Sequence, residues 1–402
     1  MKKTGIIAAL LAAILLLPAP ARGEGALSFG EDGTFTLLVL SDVEERPSVS
    51  PYYGSTLSRL LEEERPDLVV LLGDQLQGDH WSYGRGDPKT RAQDAISGIL
   101  SPLAAAKIPF VPVLGGGDLA SGLSREELLG LYGESSLCLR KDAEAGCLAL
   151  FPWQGEEACL NLFFFDEAGL SSERGPAGVG AEQVDWFMKQ SGEREDSLGD
   201  LPPAVSFAHT ILPEIYQALT PAKRAGKDTL TGPEGIGYER DSESILLGVM
   251  NEAPAIPREN PGLLSAFSQA GNVFLSVSGN NHTNAFLTAV EGVDLLASPS
   301  ASYTARSDRA LRGGWLIRFY EENVEDYELR FVPFAEYENL ENGGWLVYAL
   351  STWFILSRDA KAGIFIGILV LCIGLALLLG KKQRNRKPEP EEMPEDPEED
   401  GE

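Results

Sequence analysis

Basic residues are scarce in this chain: 33 Lys and Arg stand against 60 Asp and Glu in 402 residues, a formal net charge of -27. No basic stripe could track a phosphate backbone, which excludes nucleic acid as a partner class. Cysteine is also sparse, with 4 residues and no CxxC or Cys/His zinc spacing, so structural zinc is unsupported. Cys372 falls in a C-terminal apolar run. Cys138, Cys147 and Cys159 allow at most one intrachain disulfide. Two of them, Cys147 and Cys159, flank a hairpin expected over Leu148–Phe151 and Leu160–Phe165, but spacing does not fix the pairing. Histidine occurs only 3 times, so each imidazole counts in any catalytic reading. No internal repeat is visible.

Two strand–loop units carry the strongest signal: Thr36 to Glu44 (TLLVLSDVE) and Asp67 to Asp74 (DLVVLLGD). Near-continuous apolar runs are buried strands of an α/β sheet, and sites form in the crevice beyond their carboxyl ends. One Asp there reads most simply as a cap or turn residue. A pair, together with the further candidate ligands downstream in the chain, reads as a metal site or its relic.

The ends of the chain point to export and anchoring. Met1–Lys2–Lys3, an apolar stretch from Ile6 to Leu17 and Pro18–Ala21 have the form of a signal peptide over 1–21. Residues 363–380 are apolar and long enough to span a bilayer. The basic cluster Lys381–Lys387 then places the acidic, Pro-rich tail within 381–402 on the cytoplasmic side. Trp345, Tyr348, Trp353 and Phe354 lie in the juxtamembrane segment 341–362, where they could rest at the outer interface. The expected product is a single-pass type I membrane protein whose ectodomain, 22–340, lies outside the cytoplasm.

Within that ectodomain, strands are expected at Phe35–Leu40, Leu68–Leu72 and Pro109–Leu114, with helices at Ser55–Glu64 and Arg91–Ala106 between them. A Ser-x-x-Glu capping box, Ser124 to Glu127, opens a further helix. This βαβα order predicts a largely parallel first sheet. The second half, from Ala204–Ala208 to Tyr327–Val332, is mostly strands and predicts a mixed or antiparallel second sheet packed on the first. Pro221–Pro261 reads as a long loop over one face.

Laid out in order, the strand ends resemble the calcineurin-like metallophosphoesterase superfamily, most of all its purple-acid-phosphatase-like branch. That family carries the blocks D-x-H, G-D, G-N-H-[DE], a lone H and G-H-x-H. Here they read Asp42–Val43–Glu44, Gly73–Asp74, Gly115–Gly116–Gly117–Asp118, His209, and Gly279–Asn280–Asn281–His282. The flanking segments Arg65–Val70, Gln183–Phe187 and Asn281–Asn284 match as well, so the resemblance covers roughly Thr34 to Val332. It implies a four-layer α/β/β/α sandwich of two mixed sheets and a binuclear metal site. The first metal position would use Asp42, Glu44, Asp74 and His282. The second would use Asp74, His209 and Asn280, with Gly116 offering no side chain. Glu44 stands where the family has histidine, as a replacement ligand or as a solvated carboxylate.

The third-block histidine corresponds to Gly117, and the resemblance makes His209, helping at the second metal position, the catalytic candidate. Two-metal sites clamp both the attacking and the leaving oxygen, and a missing general acid forfeits about 10²–10⁴ in rate. The expectation is therefore a membrane-anchored phosphoesterase of weak or impaired activity, holding at most one firmly bound Mn, Fe or Zn and acting on a small phosphoester. The rival expectation is an inactive pseudo-phosphatase that binds a surface ligand or partner. A third, minor one is an anchor for an assembly, with the ectodomain as spacer. Without a cation, Asp42, Glu44 and Asp74 would crowd like charges and raise one another's pKa.

Overall fold

The computed structural model describes residues 27–140, 146–171, 175–198, 201–224, 226–338, 366, 367 and 370. The chain divides into Met1–Tyr348 and Ala349–Glu402, and all of the architecture below belongs to the first unit. The expected signal peptide lies outside the described residues, as does all of the expected span except Ile366, Gly367 and Val370, which are helical and exposed. Among the described residues no helix is long and apolar enough to cross a membrane.

Fifteen strands are described: β1 Leu27–Ser28, β2 Thr34–Leu40, β3 Leu68–Leu72, β4 Phe110–Val113, β5 Gly146–Phe151, β6 Leu160–Phe165, β7 Ala204–Ala208, β8 Thr229–Thr231, β9 Gly237–Glu239, β10 Leu247–Met250, β11 Val273–Ser278, β12 Asn284–Val290, β13 Val293–Ala297, β14 Gly313–Tyr320 and β15 Asn323–Pro333. One sheet runs β15-β14-β2-β3-β4 and the other β1-β5-β6-β7-β11-β13-β12-β10, with β8 and β9 forming a separate hairpin.

Period-2 alternation explains why the strands look uniformly apolar. In β2, Leu37 and Val39 face the second sheet, while Leu38 and Leu40 face helices. In β6, Leu162 and Phe164 enter the same inter-sheet core, while Phe163 and Phe165 pack outward with Val184, Phe187 and Phe267. Helices Pro51–Glu64, Pro88–Ala106 and Arg125–Gly133 cover the first sheet, and Ala181–Leu198 and Leu263–Ala270 cover the second. The layers are thus α/β/β/α. The expected capping box forms: Ser124 Oγ accepts from the Glu127 N–H, and Glu127 Oε2 accepts from the Ser124 N–H.

Two expectations need correction. The first sheet is mixed, as the resemblance implies, rather than largely parallel as the βαβα order suggests, because β14 returns antiparallel to β2 and carries β15 with it. Those two strands were expected in the second sheet, whose place is partly taken by β5 and β6. The segment Pro221–Pro261 is also more ordered than a plain loop. It holds the β8–β9 hairpin and β10, which pairs antiparallel with β12. Short strands rich in Gly and Glu leave no usable periodicity, which is why the sequence hid them. The β5–β6 hairpin forms as expected, but its register sets Cys147 opposite Phe163, while Cys159 N–H donates to Leu150 O at the far end. The hairpin does not place Cys147 and Cys159 opposite each other as a disulfide between them would require.

One buried polar clamp ties the sheets together beside the strand ends. Arg140 Nη1 and Nη2 donate to Asp166 Oδ1 and Oδ2, both at 2.7 Å, and Nη1 also donates to Pro112 O at 3.0 Å. The Leu114 N–H donates to Asp166 Oδ1 at 2.8 Å. Gln183 closes the arrangement, accepting from the Asp166 N–H at 3.0 Å and donating to Asp166 O at 2.8 Å. Removing one partner of such a pair strands a buried charge. Asp166→Ala should therefore cost about 3–5 kcal/mol, measured as a shift in the urea midpoint. A loss under about 1 kcal/mol would mean that the clamp is not structural.

Candidate metal centre

Four residues at the carboxyl ends of β2, β3 and β11 adopt left-handed backbone conformations: Asp42 at φ 50°, Glu44 at 48°, Asp74 at 49° and Asn280 at 63°. For residues with a Cβ this costs about 1–2 kcal/mol each, and such strain clusters at functional sites. Backbone bonds between the loops hold it. Asp42 N–H donates to Gly73 O at 3.0 Å, Glu44 N–H to Asp74 O at 2.9 Å, and Gly279 N–H to His209 O at 2.8 Å.

The side chains converge from both sheets. Asp42 is fully buried, and its Oδ2 accepts from Ser41 Oγ at 2.6 Å and from the Asn280 N–H at 2.9 Å. Its Oδ1 has no hydrogen-bond partner, yet it lies 3.4 Å from His282 Nε2 and 3.7 Å from His209 Nε2. His209 Nε2 sits 3.3 Å from Asp74 Oδ2, also without an aligned hydrogen bond. Asp42, Asp74 and His209 thus bring three ligand-type atoms within 4.8 Å of one another. Glu44 reaches the group through His282, with Oε2 at 3.6 Å from Nδ1.

Each imidazole is oriented by a backbone carbonyl: His209 Nδ1 lies 2.8 Å from Leu72 O, and His282 Nδ1 lies 2.7 Å from Arg306 O. Such bonds keep the proton on Nδ1 and leave Nε2 to ligate when the ring is neutral. Glycine at 73 is required, because at its φ of 83° a Cβ would lie 2.5 Å from His209 Nδ1.

The expected ligands divide accordingly. Asp42, Asp74 and His209 form the tight group, and His282 and Glu44 adjoin it. Asn280 makes its contact through the backbone N–H to Asp42, so its role in the described bonds is to orient that carboxylate. Gly117 donates its N–H to Asp74 Oδ1 at 2.6 Å. Asp118 is buried and engaged by the backbone, accepting from the Leu76 N–H and the Gly115 N–H, both at 2.9 Å. Burial and the neighbouring Asp74 charge push its pKa up to about 7.

Sequence reasoning overlooked Glu167. It follows the apolar run Phe163–Phe165, the same pattern that exposed Asp42 and Asp74, but no family block marked it. Its side chain is buried, Oε1 accepts from Thr210 Oγ1, and Oε2 has no hydrogen-bond partner. Buried, partnerless oxygens and nitrogens in a mixed carboxylate–imidazole set suit a borderline divalent transition ion.

Protons carry the balancing charge among these groups. Burial disfavours charge on His282, but the adjacent Asp42 carboxylate and the Glu44 charge outweigh it and push its pKa up to about 10. His209 shifts upward for the same reason, burial being outweighed by Asp74 and Asp42. Asp42 is held below its usual range, because the histidines and Ser41 overcome its burial. Glu44 is pushed up to about 8, chiefly by burial and against the pull of His282. At pH 7 the His209 and His282 rings and the Glu44 carboxyl therefore each hold a proton that a metal ion must displace. Binding should release about three protons, one from each group, and tighten as pH rises from 6 to 9. Calorimetric titrations in buffers of different ionisation enthalpy would measure the release; heats independent of buffer would contradict it.

No family model matches the chain. It is 22% identical to probable inactive purple acid phosphatase 29 of Arabidopsis thaliana, across 76% of this chain and 80% of that protein. Identity to probable inactive purple acid phosphatase 28 of the same plant is 23%, across 66% and 70%. Among solved structures, it is similar to a dimetal phosphatase from Danio rerio, with 12% identity, 75% and 96% coverage and a TM-score of 0.45.

Proposed function

The chain is homologous to the purple-acid-phosphatase-like branch of the calcineurin-like metallophosphoesterase superfamily, and from that premise we propose that it is a divalent-metal-binding phosphoesterase of impaired activity. The supporting observation is the buried, partnerless Asp42 Oδ1, 3.4 Å from His282 Nε2 and 3.7 Å from the equally partnerless His209 Nε2, which has Asp74 beside it. Asp42, Glu44, Asp74 and His282 would hold the firm ion, with His209 at its flank. Mn, Fe and Zn all accept such donors. Bound there, a divalent ion supplies charge stabilisation to a phosphoryl oxygen and activates water.

The chain's own residues explain the impairment. His209, fixed through Leu72 O, presents one nitrogen to the centre. At position 117 there is no side chain to protonate a leaving oxygen. Nor is there room for a simple reversion, because a Cβ there would lie 2.9 Å from Asp74 Cγ. Esters with good leaving groups need little protonation, whereas alkyl esters need it most. Aryl phosphates should accordingly be hydrolysed at least about 100-fold faster than alkyl phosphates. Equal rates for the two classes would contradict the missing acid. Elemental analysis after exhaustive dialysis should give about one tightly held transition metal per chain, and Asp74→Ala should lose it together with any turnover. A folded wild-type protein free of metal would overturn the proposal.

A second reading, an inactive module that binds a ligand or partner at the cell surface, gains support from the word "inactive" in the names of both plant relatives. Metal retention without turnover of any aryl phosphate would select it. We also place the protein at the cell membrane as a single-pass type I chain with a short cytoplasmic tail. The support is sequence alone: the apolar run at 363–380 and the Lys381–Lys387 cluster behind it. Protease treatment of intact cells should remove the ectodomain and spare the tail.

A further inference from the structure

The family's second metal position lacks a ligand at Gly116, and the surrounding structure has not left that place vacant. A Cβ built on Gly116 would lie 2.5 Å from Ser171 Oγ and 3.1 Å from Glu167 Oε2. Glu167 therefore presents a carboxylate oxygen to the space that a longer side chain at 116 would enter. It comes from the other sheet, one residue beyond the Asp166 clamp, and its backbone is pinned on both sides. The Glu167 N–H donates to Leu114 O at 2.9 Å, and Arg125 Nη2 donates to Glu167 O at 2.8 Å. Leu114 leads directly into the glycine loop that wraps Asp74, so the pinning fixes Glu167 relative to that loop.

The side chain is equally constrained. Thr210, next in sequence to His209, donates its hydroxyl to Glu167 Oε1. Oε2 is left buried and without a hydrogen bond. A buried carboxylate oxygen without a partner is costly. His209 Nε2, which feels the Glu167 charge, has the same deficit. Glu167 lies outside the tight Asp42–Asp74–His209 group, so a cation shared with His209 would draw its carboxylate inward and satisfy both.

We propose that Glu167 is a ligand of a second cation position beside His209 and Asp74, replacing the side chain that Gly116 lacks. This rests on the metal-binding reading above and deepens it: the chain has moved a ligand from the β4 loop to the end of β6. Carboxylate for amide would make this position more anionic than an asparagine would. It would favour a harder divalent ion such as Mn²⁺.

The test uses the full-length protein, stripped with chelator and equilibrated by dialysis against increasing Mn²⁺. Two Mn²⁺ per chain at saturation are expected, the second bound more weakly. Glu167→Gln keeps an oxygen for the Thr210 hydroxyl but replaces Oε2 with a nitrogen that cannot ligate. It should bind one Mn²⁺, with the second step weakened by more than the about 10–100-fold typical of an outer partner. Thr210→Val, which leaves the carboxylate in place but frees Oε1, should weaken the second step alone, by about 10–100-fold. It decides the matter if Glu167→Gln fails to fold. Electron paramagnetic resonance should show a spin-coupled pair in the wild type and an isolated ion in Glu167→Gln. A single Mn²⁺ in wild type and variants alike, or two in all of them, would overturn the assignment of Glu167 while sparing the metal-binding reading. No Mn²⁺ in the folded wild type would overturn both.

Discussion

Charge balance at one point governs this structure. Asp42, Glu44 and Asp74 are brought together by strand ends of the first sheet, and two imidazoles from the second sheet lie against them. Like charges this close and this buried cannot all remain ionised without compensation. Protonated histidines provide it when no ion is bound, and a divalent ion would provide it otherwise. The left-handed backbones at Asp42, Glu44, Asp74 and Asn280 add a standing strain. Hydrogen bonds from one loop to the next offset that strain, and the Arg140–Asp166–Gln183 clamp fixes the two sheets close by.

Reactive side chains and loop geometry are separable in this site. The glycine loop after β4 carries no side chain at 116 or 117, yet it wraps Asp74 and donates a backbone N–H to it. Asp118 has kept a structural role, accepting two backbone N–H groups that join the β3 and β4 loops. The family's carboxylate companion has thus become a loop fastener. The loop's geometry therefore does not depend on the side chains that a catalytic role would need, since fold and function rest on different atoms.

Much of this was legible in the sequence, for identifiable reasons. Strands buried on both faces give apolar runs, so β2, β3, β7 and β13 stood out, and the Asp ending β2 and β3 drew attention to the centre. The Ser124–Glu127 box fixed a helix start because its two hydrogen bonds are local. The rest was hidden because it is non-local. Nothing near β14 in sequence indicates that it pairs with β2, more than 270 residues earlier. Glu167 escaped notice because its significance depends on Thr210 and on the absent side chain of Gly116, both remote in sequence. Gln183 was recognisable as a matching residue, but its purpose, closing on the Asp166 backbone, is visible only in three dimensions.

An anomalous difference map from crystals grown with Zn²⁺ or Mn²⁺ tests the central claim most directly. The account predicts a peak within roughly 2.0–2.3 Å of Asp42 Oδ1, Asp74 and His282 Nε2. Well-ordered side chains in the present arrangement, with no peak between them at millimolar metal, would contradict it and identify the centre as a proton-balanced relic.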